Sequence, residues 1–262
     1  MLSLLRKTMV ISGLCLLSAC GGGSTGGISS SSTGSTGSGG NTTVDATGVW
    51  SGSYSIGASS GSTAVVAIIG AGSALFYDQA GVVYVLPTFT GGTTLSGNLV
   101  AIAPVGVTLS NGQSTETFAV TATVSTASIT GTFTGNDETG TFTLKPFTAF
   151  GGNPAIVAGN WHGFYVGSGS TAAVDVDVQS GGIFAGTDSD GCNLTGSIAS
   201  PTNDVFPVVV NSTGSGCLSA LTGLAFESNQ DLGNLFGGTL GNYYYVAVAS
   251  DGDAFVAELK IQ

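Results

Sequence analysis

The feature that most constrains this chain is an internal repeat. "TGVWSGSY" at 47–54 and "AGNWHGFY" at 158–165 share the pattern G-x-W-x-G-x-Y. Near-identical pieces follow, "GSTAVV" from Gly61 and "GSTAAV" from Gly169. Further on, "LSGNL" from Leu95 parallels "LTGSI" from Leu194, and "ITGTF" from Ile129 parallels "LTGLAF" from Leu221. Each copy closes on an alternating segment with a late lysine, "GTFTLK" to Lys145 and "AFVAELK" to Lys260. The order is kept and the spacing changes only between pieces, where loops absorb insertions. The chain therefore reads as two homologous units, 46–150 and 151–262, joined through "FGGNPAIVAG" at 150–159. Each is expected to unfold as its own unit.

Neither unit contains a helical pattern. Short runs of Val, Ile, Thr, Phe and Tyr are punctuated by Gly, Asn, Asp and Ser, which is the pattern of an all-β chain. In the second unit the spacing predicts strands at Asn160–Val166, Ala172–Gln179, Ile183–Thr187, Asn193–Ala199, Val205–Val210, Ser219–Glu227, Tyr243–Ser250 and Ala254–Ile261. "AVDVDV" alternates strictly, with Val174, Val176 and Val178 facing in and Asp175 and Asp177 facing out. Ser180-Gly181-Gly182, Asp251-Gly252 and Asn111-Gly112 are turn signals between such runs. Successive hairpins argue an antiparallel meander in each unit. Closing it into a barrel removes the free edges that invite aggregation. A β-sandwich is the alternative arrangement of the same strands.

The first 45 residues belong to neither unit. Arg6 and Lys7 precede an apolar run, Met9 to Leu17, that is too short to span a bilayer and suits a signal peptide. Leu17-Ser18-Ala19-Cys20 then resembles the lipobox of bacterial lipoproteins. The resemblance implies a leader of residues 1–19, cleaved after Ala19, with Cys20 carrying a diacylglycerol and an acylated amine. Several acyl chains hold a protein stably on a membrane where one does not. Gly21 after the cysteine resembles lipoproteins sent to the outer membrane; which face they occupy is not encoded. Residues 20–45 are almost entirely Gly, Ser, Thr and Asn. They have no apolar surface to bury and are expected to form a flexible tether with a reach of roughly 25 Å.

The chain carries four basic and fifteen acidic residues, a formal net charge of −11. Loss of Arg6 and Lys7 with the leader makes it more negative still. Such a surface repels nucleic acid. Of the four cysteines, Cys15 leaves with the leader and Cys20 is lipidated. Cys192 and Cys217 remain in an exported, oxidising setting and are expected to pair. Two cysteines without a neighbouring histidine make a poor metal site, and none is expected.

Gly48-x-Trp50 and Gly159-x-Trp161, each on the first strand of a meander, resemble the calycin barrels, which include lipocalins and avidins. In that family the Trp closes one end of the barrel and a basic residue of the last strand packs across it. The resemblance assigns that role to Lys145 and Lys260. Strict alternation puts Lys145 on the face opposite Phe142 and Leu144, so the pairing requires a bulge to re-aim it. Lipobox, tether and two barrels together are similar to surface lipoproteins such as transferrin-binding protein B and the factor H-binding lipoprotein. They also resemble two-repeat lipoproteins of Gram-negative bacteria with a cysteine-paired strand, here "GCNLTG" from Gly191. That likeness implies architecture and an outer-membrane location. It brings no activity with it.

Catalytic chemistry has little to work with. His162 is the single histidine, and no G-x-S-x-G elbow accompanies it. Asp175 and Asp177 read as a solvated strand face. "TDSDG" at 187–191 reads as a turn, since Asp188 and Asp190 lack the rest of a calcium loop. Tyr243, Tyr244 and Tyr245 read as barrel wall. No phosphate loop or dinucleotide fingerprint is present, and no cofactor is expected. The expectation is a non-catalytic, lipid-anchored binding module whose partner is a protein, a glycan or a small apolar ligand. A carrier with a lipocalin-like pocket is the second form of that reading, and a barrel enzyme the last.

Overall fold

The structure is a computed structural model. It describes residues 44–262 except 58–60, 71, 87, 89–92, 137, 148–157, 168–169, 219, 231–239, 251–252 and 262. The leader, Cys20, most of the tether and nearly all of the 150–159 junction thus lie outside the described residues.

The described residues form strands and no helix. The first eight strands are β1 (Gly48–Ile56), β2 (Thr63–Ile69), β3 (Ala74–Asp78), β4 (Val83–Leu86), β5 (Thr94–Ile102), β6 (Thr115–Val124), β7 (Ile129–Thr134) and β8 (Thr139–Pro146). The second eight are β9 (Gly159–Gly167), β10 (Thr171–Val178), β11 (Ile183–Asp188), β12 (Asn193–Ile198), β13 (Phe206–Thr213), β14 (Leu221–Gln230), β15 (Leu240–Ser250) and β16 (Asp253–Ile261). Each set is an antiparallel meander in which every strand pairs with the next. β8 returns to β1 and β16 returns to β9, so both ladders close. The fold is a pair of tandem barrels, and the sandwich alternative falls away. Each strand named from the sequence in the second unit is present, with ends shifted by a few residues.

The repeat is aligned correctly at its two ends and slips by one strand in the middle. β1 and β2 correspond to β9 and β10, and the late lysines lie on β8 and β16. Leu95, however, is on the fifth strand of its barrel, and Leu194 is on the fourth of the other. Ile129 opens a seventh strand, whereas Leu221 opens a sixth. The reason is that a short strand with a central glycine is generic in this fold. Gly131 lies under the Phe142 ring and Gly196 under the Phe184 ring, so the same x-T-G-x text serves different strands.

Alternation decides which side chains enter. On β6, Glu116, Phe118, Val120, Ala122 and Val124 are buried while the residues between them are exposed. On β10, Val174, Val176 and Val178 face in, and Asp175 and Asp177 are exposed as expected. β2 breaks the pattern: "VVAII" is buried on both faces. Its inner face lines the first barrel. Its outer face joins Val49, Leu75, Val83 and Ile102 in a separate apolar cluster with Leu224, Phe226, Ala254 and Val256 of the second barrel. At one edge Asn203 donates to the Asp45 carboxylate at 3.1 Å and to the Thr47 carbonyl at 3.2 Å. The two barrels share a wall.

Candidate functional site

The repeated motif builds the same device twice. Gly48 and Gly159 adopt φ of 149° and 148°, which L side chains rarely reach. That bend turns Trp50 and Trp161 into the barrel interiors, where both are buried. The Trp50 indole donates its Nε1 hydrogen to the Ala46 carbonyl at 2.9 Å, tying the entering chain across the barrel floor. The second glycine, Gly52 or Gly163, lies against the Thr143 or Glu258 carbonyl so closely that a Cβ has no room. The motif ends on an inward tyrosine. Tyr54 reaches Asp78 at 2.7 Å, and Tyr165 reaches Asp188 at 3.2 Å.

These two aspartates carry equivalent turns. Asp78 Oδ1 accepts from the backbone of Ala80 and Val82, and Asp188 Oδ1 accepts from Asp190 and Cys192. Each carboxylate therefore folds the turn after the third strand of its barrel and presents its other oxygen to the interior. "TDSDG" is a turn, and among the described residues no group of His, Cys, Asp and Glu is gathered as for a metal. The sequence reading missed the Tyr–Asp pair. Its trace was there: both aspartates begin D-x-x-G, at Asp78–Gly81 and Asp188–Gly191, at nearly equal distances from their tyrosines.

Above the tryptophan floors the barrels are hollow. The second encloses about 310 Å³, bounded by Val176, Phe184, Leu194, Val208 and Leu259 and, at its mouth, by the Cys192–Cys217 disulfide. The first encloses about 270 Å³ among Phe76, Leu99, Phe118, Val120 and Phe142, under a cover of Val107 to Ser110. A designed cavity of about 150 Å³ with similar walls takes up benzene, so each volume suffices for a small organic molecule.

The cover over each mouth is the loop between the fifth and sixth strands. In the first barrel it is folded on itself, with Leu109 and Gln113 hydrogen-bonded at 2.8 Å, and Ser110 reaches Glu116 at 3.3 Å. In the second the loop is covalently held. Cys217 in it is bonded to Cys192, with Cα atoms 5.8 Å apart, as expected from the cysteine count. Val82 stands at the place of Cys192 in the first barrel and makes the same backbone hydrogen bond to its aspartate.

The polar groups of the first cavity gather near this cover. The Tyr84 hydroxyl lies 3.0 Å from both Tyr54 Oη and Asp78 Oδ2, and the Tyr54 and Tyr84 rings meet edge to face at 5.9 Å. Burial pushes the Tyr54 hydroxyl up to about 12. The hydrogen bond from Tyr84 opposes that rise, and the Asp78 charge adds to it. Tyr84 is raised further, again chiefly by burial. A folded-state value above the unfolded one means stability that is full below about pH 10 and lost as pH rises through 12. Urea midpoints measured from pH 8 upward should therefore fall for the wild type and fall less for Tyr54→Phe. A flat wild-type profile would show that the hydroxyl is not shielded.

Each late lysine lies on the outer face of its strand, whereas the tryptophan of the same barrel lies inside. Lys145 is exposed opposite Ser51, while the neighbouring Leu144 faces in. The β1–β8 register runs unbroken from Trp50↔Pro146 to Ile56↔Gly140, so no bulge re-aims Lys145, and it lies on the other face of the wall from Trp50. Lys260 is likewise exposed on the outer face, opposite His162, whereas Trp161 is inside. His162 lies outside too, 3.2 Å from Asp175. The side chains of Tyr243, Tyr244 and Tyr245 lie outside the described residues, although their backbone forms part of β15.

The fold and interior together define a class: tandem up-and-down barrels, each plugged by a tryptophan and each enclosing a ligand-sized cavity. Comparison with protein-family models, with curated proteins and with solved structures found no match.

Proposed function

We propose that this chain is a lipid-anchored protein of the bacterial outer membrane whose barrels bind small, largely apolar molecules without transforming them. The observation that carries this reading is the pair of apolar-walled cavities of about 310 and 270 Å³ above the tryptophan floors. Recognition of a protein or glycan partner through the loops would not require hollow interiors. The calycin resemblance of the G-x-W strands agrees with it, and the lipobox at Cys20 supplies the anchor. Binding without catalysis is favoured because, among the described residues, no histidine, lysine or arginine lines either cavity.

The neutral probe N-phenyl-1-naphthylamine should brighten on titration with the tether-free protein and approach two sites per chain. Filling one cavity with Val120→Phe, or the other with Val208→Phe, should remove one of them. Absence of any saturable binding would overturn the carrier reading. In cells, Cys20→Ala should abolish labelling by an alkynyl palmitate analogue and release the protein from the membrane fraction. Persistent labelling would refute the anchor.

A further inference from the structure

The two cavities differ in one respect that sets the chemistry of what each can hold. On β6 of the first barrel, Glu116 occupies an inward position and is only 5 % exposed. One carboxyl oxygen, Oε2, accepts from Ser110 Oγ at 3.3 Å. The other, Oε1, is buried and has no hydrogen-bond partner among the described residues. Gly135 leaves it room, since a Cβ there would come within 2.9 Å of Oε1. Asp78, 1 % exposed, lines the same cavity, but its oxygens are taken by two backbone amides and two tyrosines. Among the described residues, no basic side chain lines this space.

A buried acidic oxygen without a partner is costly, and native proteins keep such groups where something else completes them. Because Glu116 lines the cavity, that something is a donor carried by the ligand. A cation is the strongest such donor, because a hydrogen bond to an ionised group is roughly twice as strong as a neutral one. Beside aliphatic side chains such as Leu99 and Val120, the walls carry the rings of Phe76, Phe118, Phe133 and Phe142, with Tyr54, Tyr84 and the acidic Glu138 also lining the space. Their faces suit an aromatic body and attract a nearby ammonium.

We infer that the first barrel selects small aromatic amines, seating the ammonium on the Glu116 carboxylate, which turns about its last bond to meet it, and the ring among the phenylalanines. The inference rests on the reading of the barrels as ligand carriers and names the ligand class of one of them. Among the described residues, the acidic residues lining the second cavity are Asp188 and Asp190 at the turn, and none comes from its sixth strand.

The test is competition against N-phenyl-1-naphthylamine by three molecules of one shape: 3-phenylpropylamine, 3-phenylpropan-1-ol and 3-phenylpropanoic acid. The wild type should bind the amine about tenfold or more tighter than the alcohol, and the acid weakest. Glu116→Gln keeps the size of the side chain and should erase the preference, weakening the amine about tenfold while sparing the alcohol. An alcohol that competes as well as the amine in the wild type overturns the inference and leaves the carrier reading intact. So does a Glu116→Gln variant that retains the amine preference. If none of the three competes and the probe itself does not bind, the carrier reading fails with it.

Discussion

Truncating either floor residue, Trp50→Ala or Trp161→Ala, is expected to cost about 3–5 kcal/mol and to lower the stability of both barrels at once. The direct loss is the packing of a buried indole and, for Trp50, the hydrogen bond to Ala46 that ties down the entering chain. A domain of this size has only about 5–15 kcal/mol in hand. The sequence alone led to the expectation that each barrel would fail separately. The shared wall changes that. Unfolding the first barrel strips Val49, Val66, Ile68 and Leu75 from Leu224, Phe226, Ala254 and Val256. Gly70, at the end of β2, also lies so close to Leu224 that a Cβ would come within 2.8 Å of its side chain. At roughly 1.5–3 kcal/mol for each large apolar side chain re-exposed, the coupling amounts to several kcal/mol. One barrel cannot lose its structure without baring an apolar patch on the other. Calorimetry should therefore record a single transition that moves down in each variant. Two transitions, only one of which shifts with each substitution, would show that the barrels are independent and the wall weaker than argued.

Removing the disulfide by the double substitution Cys192→Ala with Cys217→Ala is the second large effect, about 3 kcal/mol for a closed loop with a sequence separation of 25. Its thermal consequence follows from size: for a chain of about 200 residues unfolding together, each kcal/mol moves the midpoint by about 2–4 °C, so a fall of about 6–12 °C is expected. A functional consequence should accompany it. The bond pins the cover of the second cavity, and its loss should speed release of the naphthylamine probe from that cavity while leaving release from the first unchanged. The first cavity's cover is held by its own turn and by Ser110, which the substitution does not touch. A variant that melts like the wild type would show that the cover is already held by packing around Leu218 and Leu221.

Much of the architecture was legible in the residues. The period of two in "AVDVDV" chose the inward valines, the cysteine count chose the pair, and G-x-W-x-G-x-Y marked the first strand of both barrels. These readings succeed because alternation, a pair of cysteines and a glycine at an unusual φ are local causes with local traces. The middle strands of the repeat were misaligned for the same reason turned around: a short alternating strand with a central glycine meets its local requirements at several places in the ladder. Only the closure of the ladder assigns each strand its place.

The site was less legible. Nothing in "STETFAV" says that Glu116 faces inward beneath a cover, because that depends on which face of β6 the rest of the barrel encloses. Nothing near Tyr54 names Asp78, which the chain brings to it across two strands. The lysines were drawn to the tryptophans by analogy, and the unbroken β1–β8 register placed Lys145 on the far face. The sequence by itself determined that the chain is β, that it is built twice, that it is acidic and that Cys192 meets Cys217. The tertiary structure decided that the barrels are hollow, that they share an apolar wall, and that one cavity is lined by a buried glutamate with one carboxyl oxygen left unpaired among the described residues. Those outcomes depend on packing between residues far apart in the chain, and no short stretch of the chain carries that information.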